Sequence, residues 1–172
     1  MIYVVIVILL LLSDLLLIWF FVPSVAARIL DELMRLKAGL TAKRIEVDGI
    51  SWPYLDGGPK GAPVLVLVHG FGDRKDAWTL LAAQLKGKYR IICPDLPGFG
   101  ENTKDPSLSY GTADQAERLH GFITALSLRD VHLAGNSMGG KIVLQYALEH
   151  GDMLASLTLY DCAGVTETGK NK

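Results

Sequence analysis

The sequence predicts an α/β fold: a mostly parallel sheet with helices on both faces, preceded by one membrane-spanning helix. Three observations carry that prediction. Short continuous apolar runs such as Val64 to Val68, which suit strands buried on both faces, alternate with stretches of helical period. The stretch Val131 to Gly140 reads as a strand, a sharp turn containing Gly135-Asn136-Ser137-Met138-Gly139, and the start of a helix. Finally, the first 22 residues are nearly all Ile, Val, Leu and Phe. Alternating strands and helices imply right-handed crossovers, which set helices on the two faces of one sheet.

In chain order, residues 1–22 form the expected span. About 21 helical residues cover ~31 Å, the thickness of a bilayer core. Asp14 opposes insertion by ~2.5 to 3.5 kcal/mol, whereas about 17 apolar residues each contribute ~0.3 to 0.6 kcal/mol in favour, so insertion wins. A cleaved signal peptide, leading to secretion or the periplasm, is the rival reading because Ser24-Val25-Ala26 resembles a cleavage site. The absence of a basic residue before a long apolar run favours the uncleaved anchor. Arg28, Arg35, Lys37, Lys43 and Arg44 all follow the span, which places the rest of the chain on the cytoplasmic side.

Residues 23–43 read as an amphipathic juxtamembrane helix or linker, closed near Gly39, with apolar positions at Val25, Ile29, Leu30, Leu33, Met34 and Leu36. From Arg44 the residues alternate around Asp48-Gly49, an antiparallel hairpin in which Pro53 marks an edge position. The buried strand Val64 to Val68 ends at His69-Gly70-Phe71-Gly72. Asp76 is placed to cap the helix that follows. Arg90 to Cys93 is a short strand leading into Asp95-Leu96-Pro97-Gly98-Phe99-Gly100, and Ala113, Ala116, Leu119, Ile123 and Leu126 mark a helix over about Thr112 to Leu126. The strand into Ser137, its helix up to His150, and a sixth strand, Leu154 to Tyr160, complete the folded region, residues 44–165. Residues 166–172 are a polar tail.

Charge and cysteine content narrow the function classes. With 17 basic and 18 acidic residues there is no excess to neutralise phosphates, so nucleic acid is not an expected partner. Cys93 and Cys162 have no metal-ligand spacing and read as buried free thiols; no metal and no cofactor is expected. Oligomeric state is not legible.

Three motifs follow three successive strands: His69-Gly70-Phe71-Gly72, Asp95 to Gly100, and Gly135 to Gly140. Together they closely resemble the α/β-hydrolase superfamily, in particular its membrane-anchored lipase and monoacylglycerol lipase-like members, over about residues 44–165. The resemblance implies an ester hydrolase acting on lipid or small acyl esters. Ser137 would be the nucleophile, and the backbone N–H groups of Met138 and Phe71 the oxyanion hole. His69 and Gly70 would support that loop, and Gly135 and Gly139 would make room for the elbow. His69 is not the expected base, because the triad order in this family is Ser, acid, His. His120, His132 and His150 read as structural or solvated, and Asp95 and Asp114 as a turn residue and a helix-surface charge.

The pattern departs from the family after Ser137. The last histidine, His150, lies in the helix directly following the nucleophile, where no triad base belongs. The expectation is a chain truncated after its sixth strand, lacking the base and the acid unless Asp161, at the end of that strand, is the acid. Leu154 to Tyr160 would then be an open, aggregation-prone edge. The alternative is a non-catalytic membrane-tethered fragment or pseudoenzyme. A third reading, another chemistry on the same fold, stays open because fold does not fix reaction.

Overall fold

The computed structural model describes residues 2–164; the polar tail lies outside them. A helix of 37 residues, α1 (Ile2–Ala38), leads into a six-stranded sheet. Its apolar part, long enough to cross a membrane, has no share buried against the domain. The helix runs through Pro23 unbroken, where the sequence suggested that the span closes. Proline lacks one N–H donor of the i to i−4 ladder, and here that loss does not end the helix. Gly39, with φ +68°, ends α1 in the left-handed conformation that glycine adopts without strain.

The hairpin forms around Asp48 (φ 49°) and Gly49 (φ 76°), a two-residue turn whose positive angles match the twist of the strands. Its register runs from Val47↔Ile50 back to Leu40↔Gly57, so β1 (Leu40–Val47) begins four residues earlier than the alternation suggested. β2 (Ile50–Gly57) is not an edge strand, which corrects the reading of Pro53: it lies between β1 and β4 (Arg90–Pro94). Pro53 fits because its carbonyl accepts from the Asp95 N–H just past the end of the β2–β4 ladder. N–H and C=O of one strand residue point the same way, so the donor that proline lacks would face the Asp95 carbonyl, which accepts from Asn102 Nδ2 at 2.7 Å instead.

β3 (Val64–Val68) is central, parallel to β4 on one side and to β5 (Val131–Asn136) on the other; β5 pairs in parallel with β6 (Leu154–Tyr160). The order is β1-β2-β4-β3-β5-β6. One core layer joins the sheet to α3 (Thr112–Ala125) and α4 (Met138–His150) through Leu119, Phe122, Ile142 and Tyr146. Phe122 stacks on Trp52 with centroids 4.9 Å apart, a pairing that contributes about 0.5 to 1.5 kcal/mol beyond its buried area. The opposite layer joins the sheet to α2 (Thr79–Leu85) and the end of α1 through Ala38, Leu55, Leu67, Ala82 and Ile91. Helices therefore cover both faces. β6 is an outer strand with most of its residues exposed, Leu159 and Tyr160 among them.

This topology determines where a site can form. From β3 the chain leaves by α2 to one face, whereas from β5 it leaves by α4 to the other. Between two neighbouring parallel strands whose connections diverge, a crevice opens at their carboxyl ends. Ser137 follows β5 and His69 follows β3.

Candidate active site

Ser137 sits at φ 51°, ψ −114°, immediately before α4. A non-glycine residue at positive φ is strained, and strain is sustained only where the surroundings over-determine it. Here they do. The Ser137 N–H donates to the Tyr160 carbonyl at 3.0 Å, and its carbonyl accepts from Ala163 at 3.0 Å and Lys141 at 3.2 Å. The tight turn requires glycine on both sides. A Cβ on Gly135 would stand 2.4 Å from the Gly139 carbonyl oxygen, and one on Gly139 would stand 2.3 Å from that of His69. Strand, helix and the β3 loop thus meet at backbone contact, with Ser137 half-buried at the bend.

Across the crevice lies the β3 loop. Gly70 approaches the serine so closely that a Cβ there would meet the Asn136 side-chain oxygen at 2.9 Å and the Ser137 Cβ at 3.4 Å. Phe71 follows, its side chain exposed. Its N–H donates to no acceptor among the described residues. Met138 is the first residue of α4, so its N–H is one of the helix's free donors. Both residues line one mostly apolar cavity of about 420 Å³ together with Phe99, Gly98, Tyr110 and Lys104. Donors without partners beside an apolar pocket and a strained hydroxyl are what acyl transfer uses: a nucleophile, a place for negative charge, and room for a chain.

His69 is buried and spoken for. Its Nε2 accepts from the Leu96 N–H at 3.1 Å, which leaves the proton on Nδ1, 2.8 Å from the Gly70 carbonyl it donates to. Burial pushes its pKa below the ordinary imidazole value, against the smaller upward pull of the Gly70 hydrogen bond and Asp95, so the neutral ring is favoured. Both nitrogens are used, Nε2 in joining the β3 and β4 loops and Nδ1 within the β3 loop. The other histidines lie elsewhere: His132 bonds Ser156 at 2.8 Å, and His120 and His150 stack at 3.7 Å between α3 and α4. Among the described residues no imidazole is placed to take a proton from Ser137. Asp161 is exposed, at φ 46°, and its carboxylate has no partner among the described residues, although Ala163, two residues on, binds the serine backbone.

Sequence reasoning missed the group that holds the β3 and β4 loops together. Asp95, fully buried, accepts from the Lys75 N–H at 2.6 Å, from Lys75 Nζ at 2.9 Å and from the Glu101 N–H at 2.9 Å. Lys75 is itself 1% exposed. Asp95 is a turn residue as expected, but one that anchors two loops. Asp76 does not cap α2: its carboxylate is taken by Arg35, and the Trp78 cap position has no side-chain bond. The one signal available was an aspartate directly after a buried strand. Cys93 is buried as expected and burial pushes its thiol far up, whereas Cys162 is half-buried, packed beneath Gly140.

Residues 63–165 match the model of a family described as alpha/beta hydrolase fold. Lipase 1 of Psychrobacter immobilis is 40% identical over 137 residues, 78% of this chain and 43% of that protein. The monoacylglycerol lipase abhd6-A of Xenopus laevis is 30% identical over 159 residues, 91% of this chain and 46% of its own length. The crystal structure of a membrane phospholipase A, described as a bacterial virulence factor, superposes with a TM-score of 0.84 at 39% identity, covering 99% of this chain and 55% of that one. The chain spans about half the length of the relatives it matches.

Proposed function

Because the chain belongs to the alpha/beta hydrolase fold family, in a lipase-like branch, we propose that it carries the nucleophile and oxyanion hole of a carboxylic ester hydrolase for lipid or small acyl substrates. Ser137 attacks the ester carbonyl. The oxygen that gains charge is received by the N–H groups of Met138 and Phe71, and a single such donor contributes about 2.7 to 4 kcal/mol to the transition state. The acyl chain occupies the cavity between Phe71, Phe99 and Met138. The observation that carries this reading is the strained Ser137 facing the β3 loop across the topological switch point. Attack by a neutral hydroxyl requires removal of its proton. Among the described residues no imidazole is placed to remove it, and both nitrogens of His69 are committed; Asp161 is the candidate acid.

The test is hydrolysis of p-nitrophenyl butyrate and a monoacylglycerol by the gene's full product, compared with Ser137→Ala. A loss of about 10³-fold or more is expected. Turnover that survives in the alanine variant overturns the assignment. A second reading, a non-catalytic membrane-tethered protein, is favoured by the lack of an imidazole beside Ser137 among the described residues and prevails if the protein is inert.

We further propose that α1 anchors the domain at the membrane, with the domain on the cytoplasmic side; the long apolar helix and the basic residues that follow it support this reading. Protease added outside intact cells is expected to leave the domain uncut. Cleavage under those conditions reverses the orientation.

A further inference from the structure

The juxtamembrane end of α1 docks on the wrong face for an amphipathic helix. Such a helix ordinarily buries its apolar stripe. Here Ile29, Leu33 and Leu36 remain exposed, and the positions that lose solvent are Asp31, Met34, Arg35 and Ala38, spaced i, i+3, i+4, i+7. Ala38 enters the core, and ion pairs make the contact before it. Arg35, 8% exposed, forks onto Asp76, Nε to Oδ1 at 2.6 Å and Nη2 to Oδ2 at 3.0 Å, while its Nη1 meets Glu32 at 2.7 Å. Arg74 Nη2 returns the interaction to Asp31 at 2.9 and 2.8 Å.

Arg74 and Asp76 close the segment that opens with His69-Gly70-Phe71-Gly72. Its near end is fixed by His69 on Leu96, and its far end by Arg35 and by Lys75 on Asp95. Between those ends, residues 71–74 are exposed and carry no burial of their own to hold them. We propose that Arg35 is a positioning residue for the ester-hydrolase site, fixing the loop that presents the Phe71 amide from the same unbroken helix that enters the membrane. The proposal rests on the reading of Phe71 as an oxyanion donor. Its physical content is that the anchor is also part of the frame of the oxyanion hole. Misplacing a reacting group by about 1 Å costs up to ~10²-fold in rate, so loosening the loop reduces kcat without removing the substrate pocket.

The experiment uses the full gene product in detergent micelles, comparing wild type, Arg35→Gln, Arg35→Lys and, as a control on the same helix, Lys37→Gln. Two quantities are read: kcat and KM on a p-nitrophenyl ester, and amide hydrogen exchange of residues 70–76 against β3 and β5. Arg35→Gln is expected to lower kcat about 10- to 100-fold with KM within about threefold, and to speed exchange in 70–76 while β3 and β5 keep their protection. Arg35→Lys, which keeps the charge but loses the fork, falls between, and Lys37→Gln is silent. If Arg35→Gln fails to fold, Asp31→Asn, which breaks the more exposed pair, carries the same test with a smaller amplitude. Unchanged kcat and exchange in 70–76, or exchange raised equally throughout the sheet, overturns the proposal. An inert wild type would count against the hydrolase reading, and the exchange measurement would still decide the role of Arg35.

Discussion

The two sides of the crevice are built by opposite means. The Ser137 side is held chiefly by backbone: glycines at contact distance and three hydrogen bonds on the serine's own peptide groups, with Asn136 Nδ2 reaching the Tyr160 carbonyl at 3.5 Å and no ion pair. The Phe71 side is held by buried ions, Lys75 with Asp95 and Arg35 with Asp76, and by a neutral His69 bridging two loops. Backbone close packing tolerates no added atom but is indifferent to pH and salt. Buried charges tolerate changes of shape but not of ionisation. One half of the site is therefore rigid in the sense of sterics, and the other is conditional on its partners.

The largest expected effect tests the steric half. Gly139→Ala places a methyl 2.3 Å from the His69 carbonyl oxygen and 2.6 Å from that of Val68, and both neighbours are backbone that no rotamer can move. A loss of about 4 kcal/mol or more in urea unfolding is expected. A loss under about 1 kcal/mol would show that strand and helix can part, and that the elbow is not the fixed side. Asp95→Asn tests the ionic half with nearly the same volume. It leaves the Lys75 ammonium buried with weaker partners, Glu101 at 3.3 Å and Asp76 at 3.8 Å, and a loss of about 3 kcal/mol follows. If Asp95→Asn costs nothing, the charges are incidental and the contrast between the two sides fails.

The same contrast explains what could be read in advance. The elbow was legible because its determinants lie within a few residues: an apolar strand, Gly135, Ser137, Gly139 and an apolar helix. The sixth strand, Leu154–Tyr160, and the hairpin turn at Asp48-Gly49 were legible for the same reason. The ionic half was not. Lys75 and Asp95 are 20 residues apart and Arg35 and Asp76 are 41 apart, so nothing local distinguishes them from solvated charges. Local rules even misled there, as an aspartate shortly before a helix looks like a cap. Pro53 misled because a proline in an inner strand is allowed only at a ladder's end, which the sequence does not display.

The smallest expected effect separates the two sides by pH. His69 is held neutral by burial, so its folded pKa lies below its unfolded value of about 6.5. Above that unfolded value neither state gains a proton and stability is level. As pH falls below it, the unfolded chain binds a proton that the folded chain refuses, and stability declines until the folded value is passed. One such proton contributes at most about 1.4 kcal/mol per pH unit. Urea unfolding from pH 8 to pH 5 is expected to show the decline for wild type and a shallower one for His69→Gln, whose amide keeps a donor and an acceptor but does not titrate. The loops at His69 lose exchange protection first in that range, whereas the amides of α4 and the Ser137 N–H bonded to Tyr160 keep theirs until global unfolding. Parallel loss on both sides would mean that the elbow depends on its charged neighbour, and that the crevice is one cooperative unit rather than two walls held by different forces.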